Sequence, residues 1–158
     1  MNTLPAAAQR VQDAADTLGL KITVRIMEQV TRTAGEAAAA CGCTVGQIVK
    51  SLIFQGKTSG SPFLLLVSGV NRVNEAAMAE RLGEAIVRPD ATFVREATGL
   101  AIGGIPPFGH ASRIVPRLDA DLLRYETVWA AAGTPNAIFE VNPAQLRDAT
   151  GAVVIGMT

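Results

Sequence analysis

A mixed, mainly antiparallel α+β fold, with a barrel-like sheet surrounded by helices, is what this sequence predicts. Three observations point to it. Short apolar segments that alternate or are rich in β-branched residues outnumber helical ones. Turns rich in Gly, Pro, Asn and Ser join neighbouring strands closely, which permits antiparallel pairing. The regular βαβ alternation of a doubly wound sheet is missing. With 158 residues, 49% of them hydrophobic, the chain is expected to form one domain over 1–158. A chain of this size buries about 68–70% of its unfolded surface, enough for a core without metals or disulfides.

The elements follow in order. Thr3-Leu4-Pro5 opens a helix, with Thr3 or a neighbour as cap and Pro5 in its first turn; the helix runs to Leu18 and stops at Gly19. Residues 22–27 alternate and are β-branched, so they read as a strand. Thr33-Ala34-Gly35-Glu36 is a capping box before four alanines, giving a helix that ends near Gly42. Residues 48–54 form a strand bounded by Gly46 and Gly56, and 62–68 form its hairpin partner across a Gly/Ser-rich turn. Asn74 caps a helix closed by Gly83, and 85–87 is a short strand. Asp90 caps a helix to about Ala97, with Gly99 beyond it. A Gly/Pro-rich loop occupies 98–110. Strands are then expected at 112–115, 128–132, 137–141 and 152–155. A helical turn starts at Asp119, and Asn142-Pro143 starts a last helix.

Composition excludes several function classes. Lys and Arg number 14 and so do Asp and Glu, which argues against a broad nucleic-acid coat or a polybasic membrane binder. One His and two Cys cannot supply a four-ligand structural zinc site. Cys41 and Cys43 flank a single Gly, a spacing that is neither a C-x-x-C motif nor a disulfide framework, and free thiols fit a reducing compartment. Residues 1–20 lack the basic-then-apolar pattern of a secretory signal, and no stretch reaches the ~18 apolar residues of a membrane span. The expectation is a soluble cytoplasmic protein that needs no cofactor or metal.

Lys50 is the residue whose position is hardest to explain by folding alone. Period two puts Ile48, Lys50, Leu52 and Phe54 on one face, and Val49, Ser51 and Ile53 on the other. A cation within an apolar strand needs an anionic partner or an open cleft. It is held either for a phosphate or carbonyl oxygen, or as an edge-strand lysine reaching water. Lys21 and Lys57 read as solvated. The second feature is the run from Gly103 to His110, G-G-I-P-P-F-G-H. Its glycines leave backbone N–H groups uncovered and its prolines stiffen the segment, as an oxyanion-binding loop requires. His110 is available as a general base. No G-x-S-x-G elbow supports a Ser-His-Asp hydrolase. Most carboxylates, Asp119 and Asp121 among them, read as caps or solvated groups. Arg32, Arg72 and Arg113 lie near element boundaries and could meet phosphate.

Taken together, these segments resemble the YbaK/ProX family of aminoacyl-tRNA deacylases, related to the editing domain of prolyl-tRNA synthetases. The likeness runs through 34–54 with Lys50, V-S-G-V-N-R-V from Val67 to Val73, residues 101–110, D-A-D-L-L from Asp119, and Ala131-Ala132-Gly133. It covers nearly the whole chain. It implies a six- or seven-stranded barrel-like sheet and hydrolysis, in trans, of the ester that links a wrong amino acid to tRNA. It gives Lys50 the role of positioning the ester. Gly103, Gly104, Ile105 and Pro106 would bind the aminoacyl moiety, with Thr31, Arg32, Ser51 and His110 completing the substrate contacts. The partner it implies is the aminoacyl-tRNA 3′ end, and a synthetase stays open as a second one. The cysteine-removing branch carries G-x-R-G-x-D where this chain has G-T-P-N-A-I at 133–138. The P-P-F-G-H ending is closer to branches acting on Ala, Ser or Thr. Two rival readings stand beside this one: a non-catalytic tRNA- or synthetase-binding module using the same pocket, and a small-molecule esterase using His110.

Overall fold

The computed structural model describes residues 3–158. Five helices and eight strands follow one another as α1 (Ala6–Leu18), β1 (Arg25–Ile26), α2 (Ala34–Cys41), β2 (Val49–Gly56), β3 (Pro62–Ser68), α3 (Glu75–Leu82), β4 (Ile86–Val87), α4 (Ala91–Thr98), β5 (Arg117–Asp119), β6 (Val128–Ala131), β7 (Ala137–Val141), α5 (Pro143–Thr150) and β8 (Val153–Ile155). Short 3-10 turns sit at Val45–Gln47 and Ala120–Arg124.

The strands form two sheets rather than one closed barrel. One has the order β1-β7-β6, the other β4-β2-β3-β5-β8. The first is antiparallel throughout; in the second, β3, β5 and β8 run parallel. A bridge between Ile48 and Trp129 joins the sheets where β2 passes β6. The α+β, mainly antiparallel expectation therefore holds, with eight strands in an open arrangement.

β2 and β3 form the long hairpin, paired from Val49↔Ser68 to Gln55↔Pro62. Its alternation serves two cores. Val49, Leu64 and Leu66 pack with α1, Leu118, Phe139 and Leu146. Phe54, Leu65 and Val67 pack with Met78, Ile86 and Met157 on the other face. Each fully buried leucine here stabilises by about 1.5–3 kcal/mol.

Four helices carry the predicted caps. Thr33, Asn74, Asp90 and Asn142 each accept a backbone N–H three residues on. At Thr33 the reciprocal half of the box moves: the Glu36 carboxylate takes the N–H of Arg32 instead (3.1 Å). α1 differs, since Pro5 itself is the cap residue and no side chain caps it.

Two strand expectations are corrected. Residues 22–27 pair only at Arg25 and Ile26, because the Gln12 side chain binds the Ile22 carbonyl and the Val24 N–H. The strand expected at 112–115 lies instead at Arg117–Asp119. Ala111 and Ser112 donate their N–H groups to the end of α4, so the sheet begins only after Pro116.

Candidate functional site

A cleft of about 790 Å³ opens between the two sheets. Ile48 and strand β2 from Val49 to Phe54 line it. Facing walls come from Ile102–Ile105, from Trp129–Ala131 of β6, from Thr134 and Pro135, and from 30–34 leading into α2. Lys50, Ser51, Thr31, Arg32, Gly103, Gly104 and Ile105 all line this cleft. Segments far apart in sequence are thus brought to one place.

Lys50 lies opposite Val67 in the hairpin register. Its ammonium donates to the Asn71 backbone carbonyl at 2.5 Å. Burial, then the neighbouring Arg72 guanidinium, pulls its pKa below the usual lysine range, while Asp119 pulls it back up. An ammonium has three donors, so two remain for another acceptor. β2 is paired with β3 throughout and with β4 only at Gln55 and Gly56. At Lys50 the other edge of β2 pairs with no strand among the described residues, so Lys50 lies on a free stretch of sheet edge, half-buried and tethered through its ammonium.

Ser51 sits one residue on, in the same wall. Its hydroxyl oxygen is buried and has no hydrogen-bond partner among the described residues. An unmade hydrogen bond of this kind costs about 1–3 kcal/mol. The surroundings are apolar, with Ile53, Val94, Ile105 and Ala130 in the same lining.

The facing loop is held from several sides. The Gly133 N–H donates to the Gly104 carbonyl at 2.8 Å. Gly104 has φ +150°, and a Cβ there would stand 2.7 Å from the Thr134 backbone. Only glycine lets the two chains approach this closely. From α1, the Arg10 guanidinium donates to the carbonyls of Thr98 and Gly109, at 3.1 Å each, closing both ends of the loop. Phe108 anchors it in the core, 5.5 Å from the Phe139 ring centre in a tilted pair.

Pro106 and His110 are placed elsewhere. Pro106 is buried and outside the cleft lining. His110 binds the Pro106 carbonyl through Nε2 at 2.7 Å and lines a second cavity, of about 540 Å³, with Arg113 and Pro107. Burial, and less strongly Arg10, lowers its pKa, against the Pro106 bond. Arg72 stands near Lys50, outside the lining.

Sequence reasoning did not single out Trp129, Thr134 and Arg88, and read Cys41 only as a free thiol, yet all four also line the cleft. Trp129 carried one signal, being the only tryptophan of the chain. Cys41 ends α2, and burial followed by the adjacent Cys43 thiol pushes its pKa up to about 11.

Comparison with known proteins gives the same direction. The family described as aminoacyl-tRNA editing domain matches residues 28–149. An uncharacterized protein, YwhH of Bacillus subtilis (strain 168), is 31% identical over 121 residues, 77% of this chain and 76% of that protein. The crystal structure of a proposed trans-editing enzyme for prolyl-tRNA synthetase is 44% identical, with a TM-score of 0.92 and 99% of both chains covered. The hypothetical protein APE2540 is 35% identical with a TM-score of 0.85, over 93% of this chain and 97% of that one. With a lysine strand facing a glycine loop across a cleft, and a family match over most of its length, the chain belongs to the aminoacyl-tRNA editing domain family.

Proposed function

We propose that the chain acts as one free-standing domain that hydrolyses the ester of misacylated tRNA in trans, and that the amino acid removed is small, of the Ala, Ser or Thr kind. The observation that carries this reading is the Lys50 ammonium, tethered by one donor on the wall of a cleft whose opposite wall is the Gly103–Ile105 backbone.

The chemistry needs little more. An aminoacyl ester is already activated, so positioning and stabilisation of the developing oxyanion account for most of the acceleration. Water adds to the carbonyl carbon, the bond to the ribose oxygen breaks, and the amino acid leaves with the free hydroxyl restored on the tRNA. In this reading the two free donors of Lys50 meet the 3′-terminal phosphate or ribose and orient the ester. The glycine loop borders the aminoacyl group, and the unpartnered Ser51 hydroxyl offers it one polar contact. Ile53, Val94 and Ile105 supply a lining that suits a short side chain. Thr31 and Arg32, in the segment before α2, would contact the nucleotide end.

A panel of tRNAs charged with Ala, Ser, Thr, Cys or Pro tests this, with release of free amino acid as the readout. Turnover of at least one small-residue ester is expected, and Lys50→Ala should lower it by on the order of a hundredfold or more. Binding of charged tRNA without turnover would favour the binding-module reading. Activity that survives Lys50→Ala but not His110→Ala would favour the esterase.

A further inference from the structure

Lys50 does not choose its own position, and the groups that set it lie outside the cleft. Its ammonium donates to the carbonyl of Asn71, which closes the turn after β3, with the Asn71 N–H bound to the Ser68 carbonyl at 2.9 Å. The Asn71 side chain is tied down in turn: its Nδ2 donates to Asp119 Oδ2 at 2.9 Å and to Asp121 Oδ2 at 2.8 Å. Asp119 ends β5 and is 1% exposed. It accepts further N–H groups from Ser68 on Oδ2 and from Asp121 on Oδ1, both at 3.0 Å.

Capping the 3-10 turn needs only Oδ1. A solvated serine or asparagine would do that at an ordinary helical turn. Oδ2 instead faces inward, onto the segment that holds the lysine. A carboxylate this deeply buried is costly unless its oxygens are filled with donors. Here they are filled by the turn that carries the acceptor for Lys50.

We propose that Asp119, acting through Asn71, is the positioning residue for Lys50: it fixes the carbonyl that takes one ammonium donor, and its charge favours the protonated lysine. This rests on reading Lys50 as the group that meets the substrate. The charges that act on the ammonium are Asp119 from β5 and Arg72 next to Asn71, while Asp121 from the following 3-10 turn reaches the Asn71 side chain. Asp121 is also bridged to Arg124 at 3.5 Å. Removal of the Asp119 charge leaves Arg72 less opposed, so the lysine should lose its proton at lower pH.

The chain has three lysines, and Lys21 and Lys57 are exposed, so a titration of ¹³Cε-labelled lysine resolves Lys50 by NMR. In Asp119→Asn the Lys50 midpoint should fall while those of Lys21 and Lys57 stay in place. The kcat for deacylation should drop on the order of tenfold to a hundredfold, with little change in KM. Asn71→Ala keeps the Asp119 charge but frees the turn: kcat should fall similarly, with a smaller movement of the midpoint. Asn71 is only half-buried, so this variant decides the matter if Asp119→Asn does not fold. Folded variants with an unmoved Lys50 midpoint and unchanged kcat would overturn the proposal. If wild-type protein hydrolyses none of the esters, the functional reading fails, and the Lys50 midpoint alone still decides the positioning.

Discussion

At the scale of single residues, the cleft separates groups that are poised from groups that are silenced. Cys41 borders the same space as Lys50, yet burial and the thiol of Cys43 hold its proton on, with a pKa of about 11. Cys43 is pushed in the same direction, also by burial. Thiolate is the nucleophilic form. Iodoacetamide at pH 7.5 should therefore modify Cys41 at least about tenfold more slowly than a free thiol of pKa ~8.5, as read by mass spectrometry. Rapid labelling of Cys41 would contradict its environment. The conspicuous residues of the cleft were legible in the sequence for a physical reason. A lysine inside an apolar strand and a double glycine before a double proline each break a local pattern. Asp119 broke none. Its capping role was visible, but its second oxygen acts on a turn 48 positions earlier, and no local periodicity encodes that.

At the scale of elements, the loop from Thr98 to His110 is a braced structure. Gly104→Ala would drive a Cβ into the Thr134 backbone in a conformation that side chains rarely adopt. The expected loss is about 1–3 kcal/mol of stability, seen as a lower midpoint in denaturant, together with a larger fall in the proposed deacylation than the stability loss explains. Retention of both would show that the loop moves freely. Elements with strong local signals, such as the capped helices α2 to α5 and the β2–β3 hairpin, were readable within a residue or two. The strand at Arg117–Asp119 was not, since its parallel partners, Leu65 and Leu66 on one side and 153–155 on the other, are distant in the chain. Residues 112–115 are apolar enough to look like a strand, but their neighbours' N–H groups go to α4.

At the scale of the whole molecule, the site is the space left where two sheets diverge, and His110 in the second cavity gives the fold one of its responses to pH. His110 is held neutral by burial, so its pKa in the folded chain lies below the ~6.5 of an unfolded histidine. The unfolded chain then binds the extra proton first, and stability falls as pH drops below that value, levelling off once the folded form is protonated too. The thermal midpoint should decline between pH 7 and 5.5, by roughly 2–4 °C for each kcal/mol lost. His110→Gln should flatten that decline, and an unchanged slope in the variant would assign it to other groups. The bracing of the glycine loop has a consequence for change over generations. Gly104 rests on Thr134, Gly133 leaves no room beside Ala7 of α1, and Arg10 holds both loop ends. A substitution on one side of that stack is tolerable only with a matching one on the other. New substrate preference is therefore reached most easily through lining side chains outside that stack, such as Trp129 and Cys41.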